Sequence, residues 1–238
     1  MTNNLSKKSF YGFFLLLSIL FFGSCKKDDT MTTPVTPPVV VKPNLVFYAI
    51  NTANQLIKYN ANAVETAQST VAVTGLPAGE SILSADFRPA TGDLYAVTSA
   101  SRIYIINITT GAVRAVGTAA FTPAISGTSV SIDFNPTVDR IRLVTSSGQN
   151  LRLNPETGAA VSTDGNINGV TNGAITGVAY SGNTAGSTST VLYDIDITTQ
   201  KLYRQIPPNN GTLVEVGSLG VTVTGESGFD ISPDGSVD

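Results

Sequence analysis

Ser84-Ala85-Asp86-Phe87-Arg88-Pro89 recurs as Ser131-Ile132-Asp133-Phe134-Asn135-Pro136, at an offset of 47 residues. What surrounds the two stretches recurs with them. Tyr104-Ile105-Ile106-Asn107-Ile108-Thr109-Thr110-Gly111 pairs with Leu151-Arg152-Leu153-Asn154-Pro155-Glu156-Thr157-Gly158, and Leu192 to Gln200 (LYDIDITTQ) reads as a third copy. Gly177-Val178-Ala179-Tyr180 and Gly228-Phe229-Asp230-Ile231-Ser232-Pro233 echo the first motif. Short apolar runs such as Val46 to Ile50 and Arg102 to Ile106 are separated by turn residues, among them Thr110-Gly111, Thr157-Gly158 and Asn210-Gly211. Helical periodicity is missing, so the reading is strands and hairpins. A period of about 45 to 50 residues with four strands per unit marks a propeller blade. The predicted fold is all-β and β-propeller-like, with four-stranded antiparallel blades, over residues 44 to 238.

Counting strands leaves two closures. Residues 44 to 80 supply three strands, near 46–50, 56–60 and 70–74. Units beginning near 85, 131 and 176 supply four each, and residues 228 to 232 supply a sixteenth. That last strand either completes the first unit, making four blades, or opens a fifth blade. Ser232 to Asp238 begins a strand that it does not finish, so the sequence favours a fold truncated at its C-terminus.

Composition narrows the chemistry. The chain has 238 residues, 42% of them hydrophobic and 13% charged, with a single cysteine and neither histidine nor tryptophan. Without histidine there is no Ser-His-Asp or Cys-His nucleophile and no histidine-ligated metal. One cysteine excludes intramolecular disulfides and cysteine metal clusters.

Residues 1–24 read as a lipoprotein signal peptide. Lys7 and Lys8 supply its positive end, and Phe10 to Phe22 its apolar run. That run is too short to cross the roughly 30 Å hydrocarbon core comfortably. Gly23 and Ser24 then precede Cys25, an arrangement that resembles a lipobox and makes Cys25 the lipidation site. Lys26-Lys27-Asp28-Asp29 resembles the surface-export signal of Bacteroidetes lipoproteins, and residues 25–43 form a proline- and threonine-rich tether. Removal of the leader takes Lys7 and Lys8 with it and leaves 12 basic against 17 acidic residues, a net charge of −5. With no basic run, nucleic acid is not an expected partner. The expected location is the outer membrane, held by the lipid anchor and exposed at the cell surface.

Four stretches together resemble a bacterial extracellular family catalogued as domain of unknown function 4394. They are Asp133 to Arg142, Gly148 to Pro155, Leu192 to Asp196 and Pro207 to Leu213. The resemblance spans residues 44 to 238 and implies a secreted or surface-attached β-rich protein. It implies no reaction and transfers no catalytic residue.

Several residue groups are candidates for a site. Asp86, Asp133 and Asp230 recur at one position of the innermost strand, where they could ring a cation or polar ligand, or accept backbone hydrogen bonds between blades. A position that recurs along the chain favours the architectural role. Arg140 and Arg142 share one strand face, with Asn150 and Arg152 nearby. Two adjacent guanidinium groups could clamp a carboxylate or sulfate, or pair with Asp133, Asp139 or Glu156. This cluster breaks the repeat, because the matching positions 93 and 95 are Asp and Tyr. Asp164, Asn166 and Asn168 fit the front half of a calcium loop, but its twelfth position is Ile175, which cannot ligate. Calcium is therefore a weak candidate and no other cofactor is expected. The expected function is a surface-attached binding or scaffold module for a glycan, peptide or protein. The alternative is a carboxylate-based hydrolase, calcium-dependent in one version, acting on a polysaccharide or lactone.

Overall fold

The computed structural model describes residues 42–225 and 227–233. The signal peptide, Cys25 and the tether up to residue 41 lie outside the described residues.

Fifteen strands form four separate antiparallel sheets. The first blade holds β1 (Val46–Ile50), β2 (Gln55–Asn60) and β3 (Ser69–Ala72). The second holds β4 (Ile82–Phe87), β5 (Leu94–Thr98), β6 (Ile103–Ile106) and β7 (Val113–Val116). The third holds β8 (Val130–Asn135), β9 (Arg140–Thr145), β10 (Asn150–Leu153) and β11 (Ala160–Thr163). The fourth holds β12 (Ile175–Tyr180), β13 (Leu192–Asp196), β14 (Lys201–Gln205) and β15 (Leu213–Ser218). Strands follow chain order within every sheet. The architecture is a four-bladed β-propeller, the smaller of the two predicted blade counts, with three strands in the first blade among the described residues.

Burial explains the composition of the strands. All five residues of β5, the second strand of its blade, and all six of β12 are buried, because both faces of these strands are packed against apolar side chains. Such strands read as continuous apolar runs. The outer strands β3, β7 and β11 are exposed at half or more of their positions. Core side chains lie between blades. Tyr95, Ile132, Phe134 and Leu143 cluster between the second and third, and Val144, Val178, Tyr180 and Tyr203 between the third and fourth.

Glycines let consecutive blades lace together at the rim. Gly111, Gly158 and Gly211 close the last hairpins of the second, third and fourth blades, with φ of 73°, 72° and 68°. The preceding blade's connector or outer strand passes so close that a β-carbon would stand 2.0 Å from the Ala72 carbonyl, 2.5 Å from that of Val116 and 2.4 Å from that of Asn166. Only glycine meets both demands.

Two expectations need correction. Leu192 to Gln200 is not the counterpart of Tyr104 to Gly111: β6 is the third strand of its blade, whereas β13 is the second strand of its own. The shared feature is the turn. Asn107 Oδ1 accepts hydrogen bonds from the N–H groups of Thr109 and Thr110, and Asp196 Oδ1 from those of Thr198 and Thr199. An Asx turn of this kind closes any hairpin, so it marks no fixed place in the blade. The sixteenth strand is also missing among the described residues: in 227–233 only Ile231 forms an isolated bridge. The segment still runs beside β12, with the Ser227 hydroxyl 2.8 Å from that of Thr176 and Phe229 facing Gly177.

Candidate functional site

Blade-to-blade contact starts from one repeated position. In register, Asp86 of β4 lies opposite Tyr95 of β5, and Asp133 of β8 lies opposite Arg142 of β9. Tyr95 meets Phe134 of the third blade edge-on, with ring centroids 5.1 Å apart. One blade further on, Arg142 replaces the aromatic ring and donates its Nε–H to the Tyr180 hydroxyl at 3.3 Å. An apolar joint has become a charged one.

A guanidinium with 2% side-chain exposure needs partners, since an unpaired buried charge is costly. Arg142 donates Nη1 to Asn150 Oδ1 at 2.7 Å and to Asp164 Oδ2 at 2.6 Å, and Nη2 to Asn209 Oδ1 at 2.8 Å. Arg152 grips the same carboxylate from the next strand, Nε to Oδ2 at 2.8 Å and Nη2 to Oδ1 at 3.0 Å. Burial pushes the Asp164 carboxyl up, but hydrogen bonds from Arg152, Ser162 and Arg142 outweigh it and hold the group below the usual range.

Arg140 stands apart. It lies on β9 opposite Asn135 and is half-buried. Its Nη1 reaches the Asp139 carbonyl at 2.7 Å and the Val138 carbonyl at 3.5 Å, and it makes no salt bridge to a described residue. The predicted acidic partners are engaged elsewhere. Asp139 and Glu156 both pair with Arg88, which the sequence reading did not single out.

These side chains line one cleft between the third and fourth blades, about 260 Å³ in volume, with Asn135, Val138, Tyr180, Pro207, Pro208 and Asn209. Asn150 supports its floor: its Nδ2 bonds the carbonyls of Gly165 and Pro208. Two of the three guanidinium groups in this region, those of Arg142 and Arg152, share the Asp164 carboxylate. Asp194 is fully buried, and neither of its carboxylate oxygens has a hydrogen-bond partner among the described residues. Burial raises its carboxyl well above the usual range, offset only in part by Arg142.

The axial acids form a different group. Asp86 Oδ2 accepts the Phe134 N–H at 2.7 Å, and Asp133 Oδ2 accepts the Tyr180 N–H at 2.9 Å. Ser84 and Ser131, two residues earlier on the same strand face, accept the N–H groups of Ile132 and Val178. Each Ser-x-Asp therefore pins its inner strand to the next. Gly177 and Ala179 stand at the matching places in β12. Asp230 brings a third carboxylate, and one oxygen from each of Asp86, Asp133 and Asp230 lies within 4.8 Å of the others. The three could hold a cation. Burial first, then mutual repulsion, raises Asp86 and Asp133 well above the usual range.

The calcium-loop residues do not converge. The carboxylate of Asp164 is taken by two arginines and Ser162, and Asn168 Nδ2 donates to the carbonyls of Asn166 and Asn210. The loop instead straps the third blade to the fourth through Asn168 N–H to Gly211 O and Leu213 N–H to Asn168 O.

Of the predicted residues, the fold unites Arg140, Arg142, Asn150 and Arg152 and keeps Asp86, Asp133 and Asp230 separate from them. Sequence reading missed Asn135, Asn209 and the part played by Tyr180. The Pro207-Pro208-Asn209-Asn210-Gly211 run was the visible signal for Asn209.

Fold and cleft define a class, a four-bladed β-propeller with an arginine-lined cleft between two blades. Within that class, the chain belongs to the family described as Domain of unknown function (DUF4394), whose family model matches residues 55–238. Comparison with curated proteins gives no match.

Proposed function

We propose that this protein is a surface-displayed lipoprotein of Bacteroidetes type, anchored through Cys25, and that it works as a binding module whose recognition site is the cleft between the third and fourth blades. The observation that carries this reading is Arg140: a half-buried guanidinium at the cleft, held only by main-chain carbonyls, where the repeat is broken. A repeated architectural need would place the same residue in every blade, and the other blades do not have it. The hydrolase alternative calls for two carboxylates outside the repeat in one pocket. The raised acids of the axis are repeated and accept backbone hydrogen bonds, and Asp194 lies fully buried. Binding is thus the better supported role.

The test is an NMR screen of the full chain in neutral detergent against a mixture of neutral, cationic and anionic sugars and amino acids. Shift changes centred on Asn135, Arg140 and Asn209 are expected. Changes centred on the axis or on the first blade, with the cleft silent, would rule out this site.

A further inference from the structure

The polar groups of the cleft are unevenly matched, and the imbalance names a ligand chemistry. Its acceptors are taken. Asn135 Oδ1 receives the N–H and hydroxyl of Thr137, and Asn209 Oδ1 receives Arg142. The Pro208 carbonyl receives Asn150, Gln205 and the Gly211 N–H, and the Pro207 carbonyl receives the Asn210 N–H. Because their oxygens face donors, the orientation of both asparagine amides is settled, and both Nδ2 groups are left over. Neither Nδ2 has a partner among the described residues. Arg140 uses only Nη1, leaving Nε and Nη2, and Arg152 uses Nε and Nη2, leaving Nη1.

Four side chains from both blades therefore bring unused donors, two of them charged, to a cleft with no carboxylate among its described lining residues, and the Asp164 carboxylate that Arg142 and Arg152 bond is already shared between them. An acceptor-only group of several oxygens complements that set. A cation or a donor-rich group does not. The cleft volume of about 260 Å³ is below the roughly 300–1,000 Å³ common for drug-sized ligands, so it suits one charged group of a larger molecule. The surrounding protein is acidic, with a formal net charge of −3, so the cleft is a local positive site on a repelling surface, which favours specific over diffuse anion contact.

We infer that the cleft binds an oxyanion, a carboxylate, sulfate or phosphate group presented by the ligand, gripped by Arg140 and Arg152 with the amides of Asn135 and Asn209. This rests on the cleft being the recognition site. The experiment is an NMR titration of the full chain in neutral detergent with four probes: sodium sulfate, sodium phosphate, D-glucuronate and D-glucose. At least one oxyanion shifts the cleft resonances with an affinity that weakens as sodium chloride is added. The arms identify which of the three groups fits best. Arg140→Gln, a partly exposed change that breaks no salt bridge, weakens binding by about tenfold or more, as loss of a charge-assisted hydrogen bond does. Arg114→Gln, on the exposed outer strand β7, leaves it unchanged. If D-glucose binds the cleft as well as D-glucuronate, or if Arg140→Gln has no effect, the oxyanion assignment fails while the cleft survives as the site. If no oxyanion reaches the cleft and the wider screen is silent there too, both readings fail.

Discussion

The Asp133 carboxylate on the inner strand of the third blade accepts the main-chain N–H of Tyr180 on the inner strand of the fourth, at 2.9 Å. Both residues are buried. Asp133→Ala leaves that N–H without a partner and is expected to lower stability by about 1–3 kcal/mol. Asp133→Asn keeps an acceptor oxygen and removes one of three crowded charges. Its melting temperature at pH 7 is expected to equal or exceed that of the wild type. If thermal denaturation shows both variants equally damaged, the charge itself is required and the three acids hold a cation.

The axial acids also set a pH dependence. Asp86 and Asp133 have raised native pKa values, whereas an unfolded aspartate titrates near 3.9. Between that value and the raised native ones, the native state holds protons that the unfolded chain has released. Stability therefore falls as pH rises through this window and levels off above it. Urea unfolding from pH 3 to 8 should show the decline, with a smaller slope in Asp133→Asn.

Asp164 has the opposite sign. Its native pKa is lowered, so its contribution is complete above about pH 4 and is lost as pH falls through the lowered native value. Asp164→Asn strands Arg142, whose side chain is 2% exposed, and breaking a buried pair in this way costs about 3–5 kcal/mol. The loss should be full at pH 7 and shrink at strongly acidic pH, where the wild type loses the same charge. An equal loss at pH 7 and pH 2 would show that packing, not charge, is responsible.

Glycine lacing predicts a contrast between two alanine substitutions. Gly158 and Gly186 have φ of 72° and 75°, so both variants bear the strain of a left-handed alanine, about 1–2 kcal/mol. Gly186 has open space around it, whereas a β-carbon on Gly158 would stand 2.5 Å from the Val116 carbonyl of the preceding blade. Gly158→Ala should be the more destabilising by a clear margin in chemical denaturation. Equal effects would mean that the outer lacing adds nothing to the joint between blades.

The proposed anchor depends on one thiol. Cys25→Ser should move the protein from the membrane fraction to the soluble fraction of cells and abolish labelling by a radioactive fatty acid. Unchanged partitioning would defeat the lipoprotein assignment.

Much of the fold was legible because its signals are local. Alternating apolar residues at Val46 to Ile50, the 47-residue recurrence of Ser-x-Asp-Phe or its variant, and the Thr-Gly turns all operate within a few residues of chain. The same locality misled at Leu192 to Gln200, since an Asx turn looks alike in any hairpin. At the candidate site, sequence alone marked Arg140, Arg142, Asn150 and Arg152 as a departure from the repeat, because their spacing sets them on neighbouring strands. Which acid would serve them was not legible. Asp139 and Glu156 are nearer in sequence to Arg140 and Arg152 than Asp164 is, yet both turn to Arg88 of the preceding blade.

By itself, then, the sequence determined the blade, its strands and the position where the repeat is broken, because side-chain alternation and turn preference are properties of short segments. The tertiary structure alone decided the partners: Arg142 meets Asn209 across 67 residues, and Asp86 meets the N–H of Phe134 across 48. Those distances in sequence close only when blades stand side by side, and burial there leaves each charge no water to turn to, so the neighbouring blade must supply what it bonds.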